Sequence, residues 1–171
     1  MTQRSAVNSV GSLELNRYSG LWYEIGRLPF RWEDADASDI TAEYTAQDDG
    51  SVRVDNRCVD KHGAPSQAVG RATVVNGQAG RLEVSFLPEF LRWIPFTKGD
   101  YWVLKIDDAY TVALVGTPDR KYLWLLAREP HIDDATEAAY LAEATRQGFD
   151  LDEWIRPRQS GGRVTDDLLG R

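Results

Sequence analysis

The sequence predicts an all-β fold: an eight-stranded antiparallel up-and-down β-barrel with a C-terminal α-helix packed on its outside. Three observations predict it. Up to about residue 131, runs rich in β-branched and aromatic residues are cut by turn signals about every eight to twelve residues. The connections between runs alternate between short and long, and past residue 131 the apolar period changes to that of a helix.

The runs are 20–28 (GLWYEIGRL), 38–47 (SDITAEYTAQ), 51–59 (SVRVDNRCV), 67–75 (QAVGRATVV), 81–87 (RLEVSFL), 100–107 (DYWVLKID), 110–116 (YTVALVG) and 121–128 (KYLWLLAR). DDG, NGQAG and DDA are hairpin chemistry, whereas 29–37, 60–66 and 88–99 are longer. In a meander this alternation places the tight turns at one end and the long loops at the other, giving one closed and one open mouth. Closure leaves no edge strand to aggregate, and a barrel of this strand number has room for one small ligand. A β-sandwich is the competing architecture.

The stretch DDATEAAYLAEATRQGF opens on an Asp cap, continues through Ala139, Leu141, Ala142 and Ala144, and stops at Gly148. Its expected inward stripe is Ala138, Leu141, Ala142 and the methyl of Thr145. The barrel with its helix is expected over 13–157, between a disordered segment at 1–12 and a flexible polar tail at 158–171.

Bulk properties narrow the function. The chain of 171 residues is long enough for one domain with a real core, and 42% hydrophobic with 27% charged residues argues against disorder. A net charge of −7 disfavours a nucleic-acid partner. Cys58 is the single cysteine and His62 and His131 stand far apart, so neither a disulfide nor a metal motif is implied, and no cofactor is called for. The start has no apolar signal-peptide core and no lipid-attachment cysteine, which reads as a soluble chain, either cytoplasmic or periplasmic and associated with an outer membrane if an N-terminal segment was removed.

The period of two places Tyr122, Trp124, Leu126 and Arg128 on one face of the last run. If that face is internal, Arg128 points inward at the closed end, where a buried guanidinium needs a partner. Trp22 begins the first run at the same end, after Gly20, and a stacked Arg128–Trp22 contact worth about 2 kcal/mol would seal the floor. Glu24 shares the Trp22 face, and a buried ion pair near Arg128 is the expected outcome for it.

GLWYEIGRLP, GTPDR and LWLLAREP, in this order and spacing, resemble the three signature regions of the lipocalins, most nearly the bacterial lipocalin and apolipoprotein D branch, over about 13–156. The resemblance implies the eight-stranded barrel with its helix and a pocket for a hydrophobic small molecule, such as a fatty acid or lysophospholipid. By local alignment it implies that Tyr44, Asn56, Phe86, Tyr101, Trp124 and Leu126 face the ligand. Tyr101 and Trp124 are expected on adjacent regions of one inner wall toward the open end. Asp60 stands near where a relative offers a basic residue to the ligand, so this position does not supply a cation for an acidic head group.

The open-end stretch LPEFLRWIPFTKGDYW adds Phe90, with Leu91, Trp93, Ile94 and Phe96, as an apolar lip for ligand entry. Two other readings stay open. One is an isomerase or hydratase using Tyr44, Tyr101 or Cys58 as proton-handling groups. The other is an interaction module docking a protein or membrane through the 88–99 loop. The preferred reading is a carrier with no covalent chemistry, and the oligomeric state is left open.

Overall fold

Eight strands form in the predicted order. They are β1 (Gly20–Arg27), β2 (Ser38–Ala46), β3 (Val52–Val59), β4 (Pro65–Val74), β5 (Arg81–Ser85), β6 (Gly99–Ile106), β7 (Val112–Gly116) and β8 (Leu123–Ala127). Each pairs antiparallel with its chain neighbour, and β1 pairs with β8 to close the barrel. A computed structural model describes residues 5–30, 33–86 and 98–171.

β7 and β8 each begin two residues later than the apolar runs suggest, because aspartate side chains take over the preceding backbone. The Asp107 carboxylate accepts from the amides of Thr111 (2.7 Å) and Val112 (2.9 Å), and Tyr110 sits at φ 57°. Asp119 likewise accepts from the Lys121 amide at 3.0 Å.

Two apolar clusters lie on the two sides of the sheet. The inner one holds Trp22, Tyr44, Val54, Ala72, Leu82, Val103, Val115 and Leu126. The outer one holds Leu104, Leu114, Leu123, Leu125, Tyr140, Ala144 and Phe149, joining β6–β8 to the helix α2 (Asp134–Arg146). The expected stripe of α2 is corrected: Ala138, Ala142 and Thr145 are exposed, Leu141 is half-buried, and the buried residues are Tyr140, Ala144 and, just past the helix, Gln147. Alanines mark helix propensity but not the buried side, whereas the Tyr140 ring finds the outer cluster and its hydroxyl donates to the Val112 carbonyl at 3.1 Å. Asp133 caps the start by accepting from the Thr136 amide at 2.7 Å. Gly148, at φ 91°, ends it in a Schellman motif, with Phe149 donating to the Ala144 carbonyl and Gly148 to that of Thr145, each at 3.0 Å.

The described residues of both chain ends contact the barrel. Val7 is buried, and the Val10 amide donates to the Val103 carbonyl at 2.8 Å. In the tail, the Gln159 amide donates to the carbonyls of Glu24 (2.8 Å) and Ile40 (3.0 Å), while Arg57 of β3 donates to the Val164 carbonyl (3.2 Å) and to Asp166 (2.6 Å). Ile155 pairs with Arg27 beside β1. The polar composition of 158–171 therefore serves backbone groups and charges on the outside of β1–β3.

The closed end is organised around Arg128. Its guanidinium carbon lies 3.8 Å from the Trp22 ring centroid, and Trp22 is fully buried. Nε donates to the Tyr110 carbonyl (3.0 Å), Nη1 to that of Leu21 (3.0 Å), and Nη2 reaches those of Arg17 (2.8 Å), Tyr18 (3.2 Å) and Ser19 (3.1 Å). The last three close the C-terminal end of a one-turn helix, α1 (Leu15–Tyr18), too short to leave an apolar period. The Trp22 indole donates to the same Tyr18 carbonyl at 2.8 Å. Gly20, at φ 107°, lets the chain enter β1 so close that an added Cβ would lie 3.1 Å from Arg128 Nη1. Glu24 is not the partner of Arg128; it pairs with Arg27.

Arg128→Ala removes the stack and leaves these carbonyls without their charged donor, so it should lower stability by about 2–4 kcal/mol in urea unfolding. Arg128→Lys should recover less than half, because an ammonium cannot span acceptors from separate segments. An Arg128→Ala protein as stable as the parent would contradict this role.

Candidate functional site

The interior is built in two tiers. The deep tier, just above the floor, is a phenol cluster: the hydroxyls of Tyr18 and Tyr101 are 2.5 Å apart, and Tyr101 donates to Tyr44 at 2.8 Å. The Tyr18 and Tyr44 rings stack at 5.3 Å. With Val52, Val54, Ala72 and Leu82 they line an apolar space of about 10 Å³. That is room for about one water. Burial raises the pKa of Tyr18, Tyr44 and Tyr101 alike. The three therefore act as neutral hydroxyls and poor proton donors.

The upper tier is charged. By period, Glu24 and Arg27 belong on opposite faces of β1, but the ladder shifts between Glu24 and Gly26, so Glu24 stands opposite Leu126 and Arg27 opposite Trp124, both on the inner face. Arg27 Nη1 donates to Glu24 at 2.8 Å, Nη2 donates to the Asp34 carbonyl at 2.5 Å, and a carboxylate oxygen of Glu33 lies 3.3 Å from Nε. Arg27 is 0% exposed. Burial first, and then the Glu33 charge, push the Glu24 carboxyl well above its ordinary range despite Arg27; burial raises Glu33 too. Two carboxyls crowded on one buried cation titrate together rather than independently.

Three rings gather toward the open end, with Trp124 opposite Arg27 in the ladder. Trp124 meets Phe30 edge-on at 5.7 Å and stacks on Tyr122 at 6.2 Å, and Phe30 meets Tyr122 at 5.0 Å. The expected ligand-facing residues thus divide. Tyr44 and Tyr101 are brought together in the deep tier, Leu126 lies in the inner cluster between the tiers, and Trp124 belongs to the mouth. The expectation that Tyr101 and Trp124 share one wall toward the open end is corrected, since the Tyr101 hydroxyl reaches down to Tyr18 and Tyr44. Asn56 pairs with Ala42 of the inner cluster and shares its face. Phe86 covers the inner side of Gly70, where an added Cβ would lie 2.8 Å from its ring, and is 44% exposed at the open end. Phe90 and the rest of the apolar lip through Phe96 lie outside the described residues.

Tyr18, Phe30, Arg27 and Glu33 were not singled out by the sequence. Only a strand shift invisible to periodicity brings Arg27 inside. Asp60 is used locally, accepting from the amides of His62 (2.8 Å) and Ala64 (2.9 Å) in the β3–β4 turn, and His62 is exposed. The Cys58 thiol is pushed up to about 11, by burial first and then by Glu33 and other nearby carboxylates. It is a poor nucleophile at neutral pH. A second cavity of about 270 Å³ lies outside the barrel, beneath the tail, among the paired charges of Asp55, Arg57 and Asp166.

A phenol whose folded pKa exceeds its unfolded value of about 10 contributes stability that is complete below that pH and is lost as pH rises past it. Of the seven tyrosines, Tyr18, Tyr44 and Tyr101 should be the last to ionise, doing so only as the barrel unfolds. A titration of tyrosinate absorbance alongside near-ultraviolet circular dichroism checks this. Full ionisation near pH 10 with native dichroism would contradict it.

Residues 13–159 match the family model of the lipocalin-like domain. The chain is 37% identical over 162 residues to the outer membrane lipoprotein Blc of Escherichia coli (strain K12), a match spanning 94% of this chain and 87% of that protein. It is 36% identical over 163 residues to temperature-induced lipocalin-1 of Arabidopsis thaliana, again 94% and 87%. Among solved structures, insecticyanin of the tobacco hornworm Manduca sexta superposes with a TM-score of 0.71 at 20% identity, covering 95% of this chain and 90% of that one.

Proposed function

Because the chain belongs to the lipocalin family, whose members bind small hydrophobic molecules, we propose that its barrel binds a small amphipathic ligand, a fatty acid, lysophospholipid or similar molecule, for transport or storage. One observation carries the amphipathic character: a charged cluster stands inside the barrel between an apolar, phenol-lined floor and an aromatic mouth. The alkyl part goes down and the polar part stays up. The deep space of about 10 Å³ is far below the ~300 Å³ of a small-molecule pocket. Binding therefore parts the Phe30, Tyr122 and Trp124 rings and displaces inner side chains. The gain is removal of ligand apolar surface from water, about 25 cal/mol per Å² before the cost of ordering. The raised pKa values of Cys58, Tyr44 and Tyr101 favour the carrier over an isomerase or hydratase in the same cavity.

Binding of a long-chain fatty acid or lysolipid should change tryptophan fluorescence. Trp124→Ala should remove much of that change and weaken binding by about 1–3 kcal/mol. Trp22→Phe, on the floor, should leave affinity within a few-fold. Unchanged affinity in Trp124→Ala would take Trp124 out of the site, and no binding tighter than about 1 mM, or about −4 kcal/mol, would end the carrier reading.

A further inference from the structure

The Arg27 guanidinium is fully buried, and its three donor positions are unequally used. Nη1 has Glu24 at 2.8 Å and Nη2 has the Asp34 carbonyl at 2.5 Å. Nε makes no hydrogen bond among the described residues; Glu33 is close enough for an ion pair at 3.3 Å but not aligned to accept. An unused donor on a buried cation is costly, and a protein keeps one where something else completes it. The two carboxyls also differ. The Glu24 side chain is 4% exposed and sits on strand β1, whereas that of Glu33 is 17% exposed and comes from the β1–β2 connection. One is built in; the other is placed to leave.

We propose that Arg27 is the seat for the carboxylate head group of the ligand, and that Glu33 holds this seat until a ligand carboxylate displaces it. A free carboxylate can align one oxygen on Nε and the other beside it on the guanidinium edge, the planar two-point match that Glu33 fails to make. Displacement exchanges one anion for another, so the buried charge is conserved and Glu33 is hydrated. An alkyl chain anchored there runs down past Leu126, opposite Glu24, toward the phenol tier. This supplies from β1 the cation that Asp60 does not offer. The inference rests on the amphiphile reading above and adds to it the head-group class and the residue that selects it.

The test compares dodecanoate with dodecanol on the full chain, by titration of dissociation constants. The parent should prefer the acid by at least tenfold. Glu33→Ala should widen that acid-to-alcohol ratio several-fold, because the competitor is gone. The paired variant Arg27→Met with Glu24→Gln, which removes both charges so that neither is left buried alone, should bring the ratio to about one. Equal binding of acid and alcohol by the parent overturns the head-group assignment and leaves the carrier reading standing; failure of both to bind removes the two together. A ratio in Glu33→Ala that stays the same or shrinks also overturns the proposal, and decides it even if the paired variant does not fold.

Discussion

The barrel depends on one cation that is held by backbone and stacked on an indole. Arg128 joins carbonyls from α1, from the first residues of β1 and from the β6–β7 turn, segments that no strand ladder connects. No carboxylate hydrogen-bonds to it among the described residues. Backbone acceptors keep their positions and do not titrate, so the floor holds its geometry across pH. Trp22 closes the bottom of the inner cluster, and its indole shares an acceptor with the guanidinium, which ties α1 to the barrel. A meander closed this firmly at one end can admit a ligand only from the other.

The second inner arginine shows what changes when the partners are side chains. Arg27, as fully buried as Trp22, is met by two carboxyls whose protonation is shifted by burial and by each other. One of them comes from a connection at the open end. The floor is thus neutral in its acceptors and fixed, while the upper interior is charged and adjustable. The polarity gradient of the cavity follows from this difference, and it supports an amphipathic rather than a purely apolar ligand.

Much of this was legible in the residues. Runs of β-branched and aromatic residues between turn signals mark every strand, and the period of two carried along the last run to Arg128 predicts the stack on Trp22, because β8 is regular from Leu123 to Ala127. The same reasoning failed on β1, where the shift after Glu24 turns Arg27 inward; a period of two carries no sign of a bulge. Alternation therefore sets Glu24 beside Arg128, whereas its partner is Arg27. Alanine-rich α2 misleads for another reason, since propensity does not say which side is buried, and in the tail the Gln159 amide donates to backbone carbonyls of β1 and β2, which composition does not signal. α1 is a single turn, too short for any periodic signal, yet it brings Tyr18 to the phenol cluster.

Amide hydrogen exchange with and without a bound fatty acid tests most directly the claim that the barrel has one fixed end and one adjustable end. The account predicts that the amides of Leu21, Trp22 and Arg128 exchange only through global unfolding in both states. It also predicts that protection gained on binding concentrates in β1 near Arg27, in the 28–37 connection and around Trp124. Floor amides that exchange by local opening, or that gain protection from the ligand while the mouth does not, would contradict it.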